Sequence, residues 1–133
     1  MKLLLVSHGD IAQGFATTAT NFFGASNIDW ANVDLETGAT GLIEKVEKYL
    51  RKNEDEQVVI CSDLKGGSAN QSVAKYASDK VFVVSGMNLS LILQLMMAQE
   101  VSKESLNEMI EASKTDIVLV NDLLNNSFDE DDE

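Results

Sequence analysis

Short apolar runs alternate along the chain with amphipathic stretches of helical period. The runs predict five strands, at residues 2–7, 31–35, 57–62, 80–85 and 117–120. Apolar positions recurring every three or four residues predict helices at residues 10–24, 40–52, 68–78, 88–99 and 102–114. No proline, linker or internal repeat interrupts this order.

Strands that alternate with helices predict an α/β fold. Such chains form a mostly parallel sheet with right-handed crossovers and helices on both faces. Five strands suit the doubly wound order 2-1-3-4-5, whose topological switch point lies between strands 1 and 3. The loops after these two strands should therefore face each other across a crevice at the carboxyl edge of the sheet, where open α/β sheets bind ligands.

The chain length of 133 residues is that of one domain. Residues 128–133 are almost wholly acidic, and Asp129 to Glu133 form an uninterrupted acidic run. Runs of like charge are typical of solvated, disordered tails. We therefore expect a single domain at residues 1–127 followed by an acidic tail.

The formal net charge is −12, which restricts the class of partner. Nucleic-acid binding requires phosphate neutralisation by Lys and Arg, so this charge argues against it and equally against an anionic membrane surface. It favours association with electropositive proteins.

The cysteine content indicates a reducing compartment. Cys61 is the single cysteine, so no disulfide can form within the chain, and its apolar neighbours predict a buried side chain rather than a reactive thiol. No apolar run reaches the ~18 residues of a membrane span, and the first run lacks the pattern of a signal peptide. These features predict a cytoplasmic protein.

His8 is the only histidine, and it follows the first predicted strand. Imidazole exchanges a proton or accepts a phosphoryl group near neutral pH. Asp63 follows the third strand, so the predicted strand order places its carboxylate near the ring. If Asp63 accepts a hydrogen bond from Nδ1–H, Nε2 is left free as a nucleophile, and the carboxylate stabilises positive charge on the ring. Asp63 as a cap of its own loop is the alternative.

A glycine-rich loop leads from the third strand into the next helix. Gly66 and Gly67 allow a ligand to approach the backbone closely, and the first N–H groups of the helix would suit a phosphoryl group. Ser68 could bond a phosphoryl oxygen, or it could form an S-x-x-Q capping box with Gln71; the two roles are compatible. Asn88 is the predicted N-cap of the following long helix.

Other catalytic motifs are absent from the sequence. It contains no Walker lysine pattern and no G-x-G-x-x-G, and one histidine with one cysteine makes no metal cluster of the usual kind. A serine triad lacks its G-x-S-x-G elbow. We expect neither a metal nor a cofactor.

Three segments together resemble a known family. Leu-Leu-Val-Ser-His-Gly at residues 4–9, Ser-Asp-Leu-Lys-Gly-Gly-Ser-Ala-Asn at residues 62–70 and Val-Ser-Gly-Met-Asn-Leu at residues 84–89 are similar to the enzyme IIA domain of the mannose-type family of the sugar phosphotransferase system. The resemblance extends from Met1 to about Asn121. It implies a doubly wound α/β fold and a homodimer.

The resemblance also implies a phosphocarrier. His8 falls on the histidine that accepts a phosphoryl group from HPr and passes it to an enzyme IIB subunit during sugar uptake, and Asp63 falls on its carboxylate partner. Gly9 and the loop residues Gly66, Gly67 and Ser68 are then expected to bind the phosphoryl group. The IIB subunit should be a separate chain, and the membrane permease subunits indirect partners.

The sequence departs from the family pattern in the loop. Leu64 stands where some members have a hydroxyl residue, so no phosphate contact is expected there. Ala69 replaces a common proline, and Asn70 comes one place earlier than the family asparagine. Asn70 is therefore not assigned to the site.

Three other functions remain open at this stage. A metal chelatase of the sirohydrochlorin type also begins with a strand and a His-Gly pair, but it would need further acidic or histidine ligands. The phosphotransfer subunit of dihydroxyacetone kinase shares the amino-terminal histidine, although the loop from Asp63 to Ser68 fits the sugar system better. A noncatalytic interaction domain is the third.

Overall fold

The computed structural model describes residues 1–24, 27–34 and 36–124. Its strands are β1 (Lys2–His8), β2 (Ile28–Val33), β3 (Val58–Ser62) and β4 (Val81–Ser85). Its helices are α1 (Ile11–Phe23), α2 (Gly38–Lys52), α3 (Ser68–Ala74), α4 (Leu89–Met97) and α5 (Lys103–Lys114). Within these ranges, no helix combines the length and the apolar character needed to cross a bilayer.

The four strands form one parallel sheet in the order β2-β1-β3-β4. Leu5 lies between Trp30 of β2 and Cys61 of β3, which fixes the register of the central strand. The connection from β1 leads to β2 on one side of the sheet, and the connection from β3 leads to β4 on the other side. The loops that follow the neighbouring strands β1 and β3 therefore face each other at the carboxyl edge. The α/β class, the first four positions of the strand order and the switch point are therefore confirmed.

Alternation along β1 divides the core into two layers. Leu3 and Leu5 face α1, α4 and α5, whereas Leu4 and Val6 face α2 and α3. Every residue of β3 is buried, as expected for a central strand covered on both faces. Each fully buried aliphatic side chain contributes about 1.5–3 kcal/mol to folding, so the central strands anchor the carboxyl edge on which the candidate site lies.

The prediction of a fifth strand at residues 117–120 is wrong. Residues 117–119 have no regular structure and residues 120–124 are helical. The four apolar side chains of the predicted strand are exposed, and that of Ile117 is 82% exposed.

The direction of α5 explains this difference. Val101, just before α5, exchanges two hydrogen bonds with the side chain of Gln57 at the amino edge of the sheet (2.7 and 2.9 Å). At the other end of α5, the carbonyl oxygen of Ser113 accepts from Asn88 Nδ2 at 3.1 Å, at the carboxyl edge. A parallel strand has to begin at the amino edge, so the chain leaves α5 at the wrong edge to form one.

Smaller differences concern boundaries and the tail. The second strand begins at Ile28, three residues before the prediction, because an edge strand with polar, exposed residues lacks a clear apolar run. Helix α3 ends at Ala74 rather than at residue 78. The predicted acidic tail at residues 128–133 lies outside the described residues.

Candidate functional site

His8 is the last residue of β1, at the mouth of the crevice. Its side chain is 46% exposed, directly after five buried residues. Gly9 follows with φ +53°, and a Cβ at this position would meet no atom of the described residues within 4 Å. The backbone conformation, rather than a lack of space, therefore favours glycine at the turn that leads into α1.

Asp63 holds one side of the imidazole. Its Oδ2 lies 2.7 Å from Nδ1 of His8 and accepts the backbone N–H of His8 at 3.0 Å, while Oδ1 accepts the N–H of Leu64 at 3.0 Å. The Asp63 side chain is 6% exposed. Because an ionised carboxylate can only accept hydrogen bonds, Nδ1 must carry the proton, and the Nε2 lone pair is available for chemistry.

The contacts of Asp63 also determine its charge. Partial burial acts to raise the pKa of this carboxyl, but the backbone N–H of His8, the His8 ring and the N–H of Leu64 hold the pKa below its ordinary value. The carboxylate therefore remains ionised through the neutral range. Its contribution to folding is fully present above the ordinary pKa and is lost as the pH falls through the lowered one.

Ser68 holds the other side of the imidazole. Its Oγ lies 2.6 Å from Nε2. In the neutral ring, whose single proton is on Nδ1, the serine hydroxyl donates to Nε2. The predicted capping box with Gln71 is wrong: Gly67 occupies the N-cap position of α3, and no side chain caps this helix. Ser68 is one residue too far along the helix to cap it, and its hydroxyl is bonded to the ring instead.

The two loop glycines are required for different reasons. Gly66 has φ +79°, a conformation that other residues rarely adopt. Gly67 has an ordinary φ, but a Cβ there would lie 3.3 Å from Cε1 of His8 and 3.3 Å from the Leu64 side chain. The backbone of Gly67 therefore packs directly against the imidazole ring.

Two residues with no role in the sequence-based prediction support the site. Ser7 is fully buried, and its Oγ accepts the N–H of Ala12 at 2.7 Å and donates to the carbonyl of His8 at 3.1 Å. This contact takes the place of a cap on α1, because Asp10 makes no side-chain cap. Asn70 accepts the N–H of Gly66 at 3.2 Å and donates to Ser62 Oγ at 3.0 Å.

The local sequence contains only weak signals for these two roles. A serine directly before the histidine reads as part of the strand. The displaced position of Asn70 argues against any role in the site.

The predicted N-cap at Asn88 is confirmed, because its Oδ1 accepts the N–H of Leu91 at 2.8 Å.

The surface beside His8 carries acidic and apolar side chains, together with the exposed Lys65 of the β3–α3 loop. A cleft of about 620 Å³ opens beside the turn after β1, lined by Gly9, Asp10, Asn32, Val33, Asp34 and Glu36. Ile11 and Leu64 are exposed on the loops that flank the ring. This combination suits a protein partner that presents cationic and apolar side chains.

Metal and thiol chemistry find little support in the described residues. Within residues 1–24, 27–34 and 36–124, no group of three or more His, Cys, Asp or Glu side chains could hold a metal ion. Cys61 is fully buried, and burial raises the pKa of its thiol to about 12, as predicted for a small core residue.

Comparison with known proteins identifies relatives of the whole domain. The family described as "PTS system fructose IIA component" matches residues 2–114. Among solved structures, the PTS IIA protein associated with the fucose utilization operon of Streptococcus pneumoniae is 24% identical, with a TM-score of 0.82 over 92% of this chain and 95% of that one. A search among curated protein sequences found no match.

A second solved structure has the same fold. The mannose/sorbose specific IIA subunit of the phosphotransferase system of Enterococcus faecalis is 21% identical, with a TM-score of 0.71 over 89% of this chain and 92% of that one. The agreement covers nearly the full length of both chains, so it concerns the entire α/β domain that presents the histidine.

Proposed function

Since the chain belongs to the family of phosphotransferase-system IIA components, we propose that it carries a phosphoryl group on His8. In this proposal, phospho-HPr is the donor and an enzyme IIB subunit the acceptor, and the transfer serves sugar uptake in the cytoplasm. The observation that supports it most directly is the imidazole held between Asp63 at Nδ1 and Ser68 at Nε2.

The geometry favours Nε2 as the nucleophile. Its lone pair attacks phosphorus, the bond between phosphorus and the donor breaks, and the electron pair of that bond stays with the donor. The Nδ1–H bond remains intact, and the ring gains positive charge that the ionised Asp63 stabilises at 2.7 Å. Transfer to the IIB subunit reverses these changes and restores the neutral ring.

Ser68 has to leave Nε2 before phosphorus can bind there. A rotation about χ1 turns the hydroxyl away from the lone pair, and the same O–H can then donate to a phosphoryl oxygen. Phosphoryl transfer depends mainly on positioning and electrostatic stabilisation, so one donor of this kind is a substantial contribution.

The glycines serve the phosphoryl group chiefly by leaving space. The N–H of Gly66 is bonded to Asn70 Oδ1, and the N–H of Gly67 donates to the Leu64 carbonyl at 3.2 Å. Neither amide is available to the ligand in this arrangement. Gly9, Gly66 and Gly67 instead keep side chains away from the approach to the ring.

The partners are proposed from charge and exposure. The acidic cleft at Asp10, Asp34 and Glu36 and the exposed Ile11 and Leu64 surround the histidine that both proteins must reach. An electropositive donor such as HPr, and in turn the IIB subunit, would dock there. The membrane permease subunits would act only through IIB.

A homodimer is the proposed assembly. The apolar residues 117–120 are exposed next to the carboxyl edge, and among the described residues no strand pairs with the outer side of β4. Exposed apolar segments and open strand edges are typical of surfaces that other chains cover.

Intact-mass measurement tests the phosphocarrier proposal. Incubation with phosphoenolpyruvate, enzyme I and HPr should add one acid-labile phosphate to the wild type and none to His8→Ala, because the chain has no other histidine. Discharge onto a IIB subunit would separate the sugar system from the dihydroxyacetone kinase alternative. An unmodified wild type would contradict the proposal and favour a chelatase or a noncatalytic domain.

A further inference from the structure

We infer that Asn70 is a positioning residue, which holds the β3–α3 loop so that Asp63 and Ser68 meet opposite nitrogens of the His8 ring. The effect of Asn70 on catalysis rests on the phosphoryl transfer proposed above. Asn70 makes no hydrogen bond to His8, so it would act only through the loop.

The Asn70 amide connects three parts of the chain. Asn70 lies in the first turn of α3, Ser62 is the last residue of β3, and Gly66 lies at the top of the loop between them. Asn70 Oδ1 accepts the Gly66 N–H at 3.2 Å, and Nδ2 donates to Ser62 Oγ at 3.0 Å. One side chain therefore ties the loop to both the strand and the helix.

The hydrogen-bond inventory fixes the orientation of this amide. The N–H of Gly66 can only donate, so the atom facing it must be Oδ1. The NH₂ group then faces Ser62 Oγ, which accepts from it and donates its own proton towards the Val84 carbonyl at 3.5 Å. Because Ser62 is fully buried, this end of the bridge is anchored in the core of the sheet.

The loop needs such a bridge because of its composition. Gly66 and Gly67 lie next to each other in it, and glycine loses more backbone freedom on ordering than any other residue. The side chains that hydrogen-bond the ring lie on either side of these glycines: Asp63 before them and Ser68 after them. Asp63 is also held by the N–H groups of His8 and Leu64. Without the bridge, the position of Ser68 relative to Asp63 would therefore depend on the glycines and on the bond from the Gly67 N–H to the Leu64 carbonyl.

Four variants separate the bridge from general stability. Asn70→Ala removes both contacts, Asn70→Asp keeps an acceptor for the Gly66 N–H, and Ser62→Ala removes only the buried anchor. Gln71→Ala is the matched control, since it removes an amide side chain from the neighbouring, exposed position of α3.

The His8 ring provides a readout that does not depend on activity. It is the only imidazole in the chain, so ¹⁵N NMR of histidine-labelled protein reports its tautomer without overlap. In the wild type and in Gln71→Ala, we expect a protonated Nδ1 and a hydrogen-bonded Nδ1–H proton signal. In Asn70→Ala, the Nδ1–H signal should broaden or vanish, and both tautomers should be populated. The spectrum of Ser62→Ala should change in the same direction. The spectrum of Asn70→Asp should be intermediate between those of Asn70→Ala and the wild type.

The kinetic readout is single-turnover phosphorylation by phospho-HPr. Loss of the bridge should slow Asn70→Ala by tenfold or more, since misplacement of a reacting group by about 1 Å can cost about 10²-fold in rate. Gln71→Ala should match the wild type within about twofold, a barrier change below ~0.5 kcal/mol. If Asn70→Ala does not fold, the same two measurements on Ser62→Ala and Asn70→Asp test the inference.

Three results would overturn the inference. These are an unchanged ring spectrum in every folded bridge variant, transfer within about twofold of wild type in all of them, or slower transfer with an unchanged ring spectrum. If the wild type accepts no phosphate but the ring spectrum changes as expected, the positioning of His8 stands and the proposed function fails.

Discussion

At the scale of the residue, the main feature is a histidine with both ring nitrogens engaged. Asp63 and Ser68 hold the imidazole from opposite sides at 2.7 and 2.6 Å. The contact at Nδ1 is with an ionised carboxylate and selects the tautomer, whereas the contact at Nε2 is with a rotatable hydroxyl. The ring is therefore oriented firmly, and the nucleophilic lone pair is covered only by a group that can turn away.

Asp63→Asn should retain the fold and slow phosphoryl transfer. An asparagine can turn its NH₂ towards Nδ1 and favour the tautomer with the proton on Nε2, and it no longer offsets positive charge on the ring. We expect a loss of about 10²-fold or more in single-turnover transfer to the IIB subunit. A rate within about twofold of wild type would remove Asp63 from the mechanism.

Ser68→Ala should slow acceptance by about tenfold. A hydrogen bond to a charged group contributes about 1.5–3 kcal/mol, and the serine is proposed to donate one to the phosphoryl group. The matched control is Ser72→Ala, one turn later in α3, whose Oγ bonds the Ser68 carbonyl at 2.7 Å and not the ring. Equal rates for Ser68→Ala and the control would mean that the hydroxyl only occupies Nε2 in the resting site.

At the scale of the element, the two loop glycines differ in the effect expected of an added side chain: backbone strain at Gly66 and steric overlap with His8 and Leu64 at Gly67. Gly66→Ala places a side chain at φ +79°, with no atom of the described part of the chain within 4 Å, so the expected cost is about 1–2 kcal/mol of stability. Gly67→Ala places a methyl group 3.3 Å from Cε1 of His8, and equally close to Cγ and the carbonyl oxygen of Leu64, so the ring or Leu64 must shift.

The two variants should therefore differ in what they disturb. Thermal unfolding should reveal the larger effect for Gly66→Ala, and the His8 ring spectrum the larger effect for Gly67→Ala. An undisturbed ring in Gly67→Ala would indicate that Leu64, rather than His8, shifts to make room for the methyl group.

The elements also indicate how far sequence patterns reach. The central strands β1 and β3 could be predicted because burial on both faces produces continuous apolar runs. The sequence predicts the edge strand β2 only in part, since the polar Asp29 and Asn32 interrupt its apolar pattern. Local periodicity cannot report the direction of the preceding helix α5, and for this reason the apolar residues 117–120 wrongly predict a strand of the sheet.

Prediction of the site had the same limits. The meeting of His8 with Asp63 follows from strand order, because adjacent parallel strands end at one edge. The contact of Ser68 with Nε2 depends on a shift of one residue in the start of α3, which sequence signals do not resolve. The bridge made by Asn70 depends on the path of the glycine loop, and several paths are compatible with the same residues.

At the scale of the whole molecule, charge is the first property that matters for partners. Five of the 22 acidic residues form the run from Asp129 to Glu133, outside the described residues. The proposed docking surface has its own carboxylates at Asp10, Asp34 and Glu36, so the attraction of a basic partner to this surface does not require the terminal run.

A truncation after Ser127 should therefore accept phosphate at a rate close to wild type at physiological ionic strength. The Debye length there is about 8 Å, which screens exposed charges from distant partners. A modest loss of association rate is expected only at low salt. Failure of HPr recognition at physiological salt would show that the acidic run is itself a docking element.

The second molecular property is assembly, which the exposed apolar residues after α5 make testable. Val118→Asp with Val120→Asp places two charges in the segment proposed to contact a second copy, and burial of unpaired charges is costly. Sedimentation at micromolar concentration should give a dimer for the wild type and a monomer for this double variant. Phe22→Asp, a charge at another exposed apolar position on α1, should leave the dimer intact. If the double variant remains a dimer, the interface must lie on another surface. A monomeric wild type would contradict the proposed homodimer.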